Sequence, residues 1–392
     1  MCQISVTYKL MIVYIVLFFA ILLVSFFFDN SEEKVPYPIF LGICLLIGLF
    51  VGLGDMLGGY DRYIYAEVFD TYSDEVHAGK GMLNSLWPVF FGIEPAYGLI
   101  NYIIALFTSN RYIFILIITI LSYFLFATSI YRYSQKPFFC LTIFMGLCFF
   151  FTFTYIRQIL AMAILWNALP YIEKRKAIPF FGIVLFAALI HNAALYFAIV
   201  YFVPTKNYSK QFIIISMLVL LMIGIVSPFN MIIEAYGDMT SASRKADLYK
   251  QTSEYGFRFE YLLESAAFLA ILLYNYDRIA FSKRTSMLVN LYLMFCGTLL
   301  LFIKSSDGGR MSWIFAIGII LLFAKIIDET ESGGLRLLTT ALSLTLYIRV
   351  LVLWGTLVSP YKTFLTDGYR DGDIIHSIYE YDRQYDIDKF YR

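Results

Sequence analysis

Residues 8–28 read YKLMIVYIVLFFAILLVSFFF, an apolar run interrupted by one lysine near its start. A helix of about 20 such residues crosses the hydrocarbon core of a bilayer. Working outward, comparable runs occupy 37–57, 94–108, 111–131, 137–154, 157–172, 177–203, 211–227, 259–276, 286–304, 311–327 and 335–357. Of the 392 residues 60% are hydrophobic and 15% charged, too little polarity for a wet surface on every side. Backbone groups in lipid must pair within the chain, and the polar-apolar alternation of an outer-membrane barrel is missing. The fold expected is therefore all-α: a polytopic integral membrane protein with about 11–14 transmembrane helices in a single domain over 1–360.

Two polar stretches interrupt the runs, at about 58–92 and 227–258, both rich in Tyr, Asp and Glu and too long for simple turns. They are expected as extracytoplasmic loops, and long loops on a compact bundle carry function. The tail 361–392 has no apolar run to bury and is expected to be solvated or partly disordered. The first run lacks a small-residue cleavage pattern and is expected to remain as an anchor. A net charge of +1 and the absence of a long Lys/Arg-rich run argue against nucleic acid as a partner. Cys44, Cys140, Cys148 and Cys296 lie inside apolar runs, and with Cys2 they form no CxxC or zinc spacing, so no metal or cofactor is expected.

Basic loops favour the cytoplasm, which places Glu173-Lys174-Arg175-Lys176 and the Asp277–Arg284 turn inside. The run 177–203 is long enough for one tilted span or for two short helices meeting near His191-Asn192; the second fits the topology better, and with that break Arg157, His191 and Arg310 share the outer face. Trp87–Phe107 is read either as one span or as a re-entrant pair broken at Glu94-Pro95.

Few polar residues interrupt the apolar runs. Arg157-Gln158 stands between them, where an arginine costs a few kcal/mol unless it pairs or snorkels. It is either functional or a headgroup-reaching cap on a span, and Arg310 invites the same comparison. His191 is the histidine embedded in a long apolar segment: a candidate general base, or a neutral hydrogen-bonding link between helices. Tyr60-Asp61-Arg62-Tyr63 with Tyr65, Glu67 and Asp70 sets tyrosines beside carboxylates on one helix face. That pattern suits sugars and also an ordinary interfacial aromatic belt. Glu94 is a buried carboxylate at a helix break, or a first-turn glutamate favoured by the helix dipole.

Taken in order, Gly59-Tyr60-Asp61-Arg62-Tyr63, Glu94-Pro95-Ala96-Tyr97, Arg157-Gln158-Ile159-Leu160-Ala161, His191, Arg310 and Pro360-Tyr361 resemble the EpsG family of Wzy-like exopolysaccharide and O-antigen polymerases. Two positions depart from the family pattern: Tyr60-Asp61 stands where members often read Gly-x-Asp-Tyr, and Asn192 follows His191 where Lys or Ser is usual. The resemblance implies a multi-pass protein of the bacterial inner (cytoplasmic) membrane. It would join repeat units carried on undecaprenyl diphosphate, alongside membrane lipid and other proteins of the polysaccharide export pathway. On this reading His191, Arg157 and Asp61 carry catalysis, while Arg310, Gln158, Arg62, Tyr63 and Glu94 bind substrate. Two alternatives stay open: a metal-dependent lipid-phosphate-sugar glycosyltransferase using Asp55 and Asp61, and a transporter or flippase for a lipid-linked glycan.

Overall fold

A computed structural model describes residues 11–31, 33–79, 94–226, 256–305, 308–366 and 374–391. Regular structure among the described residues is helical, apart from one isolated bridge between Gly54 and Thr363. The principal helices are α1 (Ile12–Phe28), α2 (Tyr37–Gly52), α3 (Tyr60–His77), α4 (Pro95–Ala105), α5 (Arg111–Tyr133), α6 (Pro137–Leu147), α7 (Ile156–Trp166), α8 (Ala177–Ile190), α9 (Lys210–Val226), α10 (Phe259–Asn275), α11 (Lys283–Leu301), α12 (Ala316–Thr330) and α13 (Gly333–Val358). By length and composition α5, α11 and α13 can cross a membrane, and α1, α2, α6, α8 and α9 are shorter apolar helices. The outward faces are apolar too: α9 exposes Phe212, Ile215, Leu218, Val219 and Met222 while burying Ile213, Met217 and Gly224. A surface of that kind is solvated by lipid, and the chain is a membrane protein.

Several runs that read as single spans are broken. The run 94–108 is helical only over Pro95–Ala105, and 137–154 divides into α6 and a short turn, Phe151–Thr154. Tyr155, at φ −91° and ψ 58°, ends that turn before α7 begins. The described part of the first polar stretch is largely a helix, α3, whose buried face carries Arg62, Tyr63, Tyr65, Ala66, Phe69, Asp70 and Ser73 at helical spacing. Residues 80–92 of that stretch, and all of 227–258 except its last three positions, lie outside the described residues.

The chain divides into two compact units. The first comprises Met1–Tyr171, Lys176–Leu195 and Ser332–Arg392. Within it α5 packs on α2 and α7, and α6 is buried along its whole length between α1 and α13. Gly146 lets α6 approach α13 closely, since a Cβ there would sit 2.6 Å from the Ser343 carbonyl oxygen. The second comprises Ile172–Arg175 and Tyr196–Glu331, built around α11 with α9, α10 and α12 against it. Its core is an aromatic cluster of Phe268, Tyr292, Phe295 and Phe323, with the Tyr292 hydroxyl donating to the Phe268 carbonyl at 2.6 Å.

The C-terminal tail differs from expectation. Residues 374–391 fold into two short helices, Ile374–Tyr379 and Gln384–Ile387, and bury His376, Glu380, Tyr385 and Lys389. They do so without an apolar run because their charges meet opposite charges on the first unit. Arg111 binds Asp70 through Nε at 2.8 Å and Glu380 through Nη1 at 3.0 Å, and Lys389 pairs with Asp55 at 3.2 Å. Tyr63 Oη lies 3.1 Å from His376 Nδ1, whose other nitrogen bonds Asp386. Burial lowers the His376 pKa and raises that of Glu380.

Candidate active site

Three helix ends in the first unit bring Glu94, Arg157 and His191 together. Glu94 is the N-cap of α4, ahead of Pro95, a residue preorganised for the first helical position. Its carboxylate makes no capping bond to its own helix and is turned towards the other two residues instead. Arg157 lies in the first turn of α7, where a cation opposes the helix dipole and gains from a nearby anion. His191 ends α8 in an extended conformation (φ −152°, ψ 116°), and a 3₁₀ helix begins at Asn192. Helix α8 packs on both α4 and α7, which sets the three ends side by side.

The two carboxylate oxygens of Glu94 divide the work. Oε2 accepts from Arg157 Nη1. Oε1 accepts from His191 Nδ1 at 2.9 Å and from the Asn192 backbone N–H at 3.1 Å. Because a carboxylate can only accept, the bond puts a proton on Nδ1; in the neutral imidazole the lone pair is then on Nε2. Arg157 also lies over two tyrosine rings, 4.9 Å from the Tyr65 centroid and 5.5 Å from that of Tyr97. Its side chain is 33% exposed while that of Glu94 is 11% exposed, so Arg157 is the more accessible of the two. Buried Arg157 Nε has no hydrogen-bond acceptor among the described residues.

The other expected site residues occupy different surroundings. Arg62 is buried, with Nη1 donating to the Phe153 carbonyl at 3.0 Å and Nη2 to the Val51 and Gly54 carbonyls at 3.1 Å. Tyr63 is buried against His376. Asp61 is half-buried in the first turn of α3, and no hydrogen bond or ion pair among the described residues joins it to Glu94, Arg157 or His191. Gln158 is buried in α7 beside Arg157. Arg310 belongs to the second unit, in the short helix Gly308–Trp313. Among the described residues no group of three or more His, Cys, Asp or Glu side chains could hold a metal ion.

The structure adds Tyr97, which the sequence shows only as part of the Glu94-Pro95-Ala96-Tyr97 motif, and the backbone N–H of Asn192. The latter bears on the departure from the family pattern at that position. The contribution comes from the main chain, which any residue but proline supplies.

The match to the EpsG family model covers residues 39–365 and so includes Glu94, Arg157, His191 and both tyrosines over the guanidinium. The chain belongs to the EpsG family. No curated protein and no solved structure matches it significantly. Membership in EpsG makes this a polysaccharide-related membrane protein, consistent with a glycosyltransferase-like role. Among the described residues of the matched span, the cluster at Glu94 brings together a cation, two tyrosine rings and an imidazole. The tail residues 374–391 lie beyond the matched span.

Proposed function

We propose that this chain is a polysaccharide polymerase of the bacterial inner membrane, transferring a glycan from undecaprenyl diphosphate to the non-reducing end of a second lipid-linked repeat unit. The observation that carries this reading is the pairing of an accessible Arg157 with His191 through one carboxylate. Glycosyl transfer from a lipid diphosphate needs both functions in one place. The bond from the anomeric carbon to the phosphate oxygen breaks, leaving negative charge on the diphosphate, and fixed cations stabilise that charge. Arginine suits the task because it stays charged and can bind two phosphate oxygens at once. The acceptor hydroxyl oxygen forms the new glycosidic bond and loses its proton to His191 Nε2, the nitrogen left open when Nδ1 is held by Glu94. Glu94 also steadies the imidazolium that results, as a carboxylate does in other dyads of this type. Arg310 is assigned as a second cation for the diphosphate on resemblance alone.

The test is polymer formation by purified protein in liposomes given only its lipid-diphosphate-linked repeat unit. Wild type is expected to produce ladders with EDTA present, and Arg157→Ala and His191→Ala to produce none, with Arg310→Ala as a separate arm. Loss of the wild-type ladder in EDTA would move the assignment to a metal-dependent glycosyltransferase. Movement of the lipid-linked unit across the bilayer without ladders would move it to a transporter.

A further inference from the structure

The guanidinium assigned to the diphosphate is paired with an anion of the chain itself, Glu94, and that anion is tethered elsewhere. Glu94 Oε1 is held by two donors, His191 Nδ1 and the Asn192 N–H, while Oε2 is held by Arg157 alone among the described residues. The bonds at Oε1 do not depend on the one at Oε2, so the contact with Arg157 can open while the carboxylate stays on His191. Arg157 is the partner an incoming anion reaches first, its side chain being 33% exposed against 11% for Glu94.

We infer that Glu94 is a resident counter-anion, occupying the anion position of Arg157 when no substrate is bound and yielding it to the diphosphate through its Oε2 edge. A multiply charged diphosphate competes with a tethered carboxylate better than a singly charged anion does, so the exchange makes the site selective for diphosphate over lesser phosphates. Run in reverse, the same exchange loosens the lipid diphosphate left after transfer. Glu94 is thus a specificity-determining and positioning residue. This rests on the diphosphate reading above.

The test uses full-length protein in nanodiscs and inorganic diphosphate as the probe, with orthophosphate in parallel, by isothermal titration. Glu94→Gln keeps an acceptor for His191 and Asn192 but removes the competing charge. Its affinity for diphosphate is expected to rise about tenfold over wild type, with selectivity against orthophosphate narrowed. Arg157→Ala and the double variant are expected to bind neither ligand. Glu94→Asp, which keeps the charge, is expected to stay within about threefold of wild type. Should Glu94→Gln not yield folded protein, Glu94→Ala carries the same expectation.

Unchanged or weaker binding by the neutral variant would overturn the inference, because a residue that merely orients Arg157 cannot improve affinity when its charge is removed. Absence of binding by both wild type and the neutral variant overturns it as well. The two readings fail separately. Wild-type ladders without the affinity gain leave the polymerase standing and remove this role of Glu94, whereas the affinity gain without ladders leaves the anion exchange standing and removes the polymerase.

Discussion

Arg62 donates from Nη1 to the carbonyl oxygen of Phe153 at 3.0 Å, four residues ahead of Arg157. A neighbouring bond runs the opposite way, from Thr154 Oγ1 to the Gly58 carbonyl at 2.6 Å. Gly58 has φ +119°, and a Cβ there would meet the Phe153 carbonyl oxygen at 2.6 Å, so only glycine fits. The turn that opens α3 and the break that opens α7 are therefore one assembly. Arg62 is its centre, tying the end of α2 to the segment that aims Arg157.

Arg62→Met leaves several buried carbonyls without donors, and the expected cost is on the order of 3–5 kcal/mol of stability. Arg62→Lys supplies one compact ammonium in place of a planar fork, and roughly half that loss is expected. Thermal unfolding in nanodiscs measures both. A lysine variant that unfolds with wild type yet makes no polymer would instead place Arg62 in contact with substrate.

The tail prediction follows from burial of its charges. Removing one member of a buried ion cluster strands its partners, at a typical cost of about 3–5 kcal/mol. Arg111→Met is therefore expected to release 374–391, because Asp70 and Glu380 then face each other across an uncharged side chain. Limited proteolysis reports the outcome: the tail of wild type resists cleavage, while that of the variant is trimmed before any helix of the bundle. Equal resistance in both would show that Lys389–Asp55 and Tyr63–His376 hold the segment unaided.

Asp29, just past the end of α1, carries a pH dependence of definite sign. Its carboxylate accepts from the Phe139 N–H at 2.5 Å and from Ser25 Oγ at 3.0 Å, but burial outweighs these bonds and raises its pKa from 3.8 to about 6. The folded state then binds the proton more tightly than the unfolded chain. Acidification from about pH 6 towards 3.8 should stabilise wild type by on the order of 2–3 kcal/mol relative to Asp29→Asn, a difference that levels off below that window. His376, whose pKa burial pushes below 6.5, costs stability as pH falls through the same region, so the comparison is made between variants. A gap between the two unfolding curves that does not change with pH would contradict the assignment.

How much of this was legible beforehand divides by the range of the interaction. The helical class follows from apolar runs that lipid forces to satisfy their own backbone, a local property. The break at His191 is the preferred of two readings of 177–203, one tilted span or two short helices, because it returns Lys206 and Lys210 to the cytoplasmic side, and the helix does end at Ile190. Glu94, Arg157 and His191 could each be singled out as polar residues in apolar company, yet nothing local says that one carboxylate joins the other two across 63 and 97 positions. The tail shows the same gap more sharply. Its composition reads as solvated because the partners that neutralise it, Asp55 and Arg111, lie about 270 or more residues away and look like ordinary interfacial charges.

The aromatic cage makes the last prediction. Tyr65 projects from α3 and Tyr97 from α4, and both present rings to the Arg157 guanidinium, at 4.9 and 5.5 Å. A cation over a ring in a partly desolvated site gains about 0.5–2 kcal/mol, and Tyr65 adds a hydrogen bond from Arg157. Tyr65→Leu removes both, and a fall of roughly ten- to thirtyfold in polymer initial rate at subsaturating substrate is expected. Tyr65→Phe keeps the ring and loses only the hydroxyl, so a fall of about threefold is expected. The order of the two variants is the informative part. If Phe and Leu were equally damaging, the hydroxyl and not the ring would be what holds the guanidinium; if neither changed the rate, the tyrosines would be interfacial packing, and Arg157 would be held by Glu94 alone.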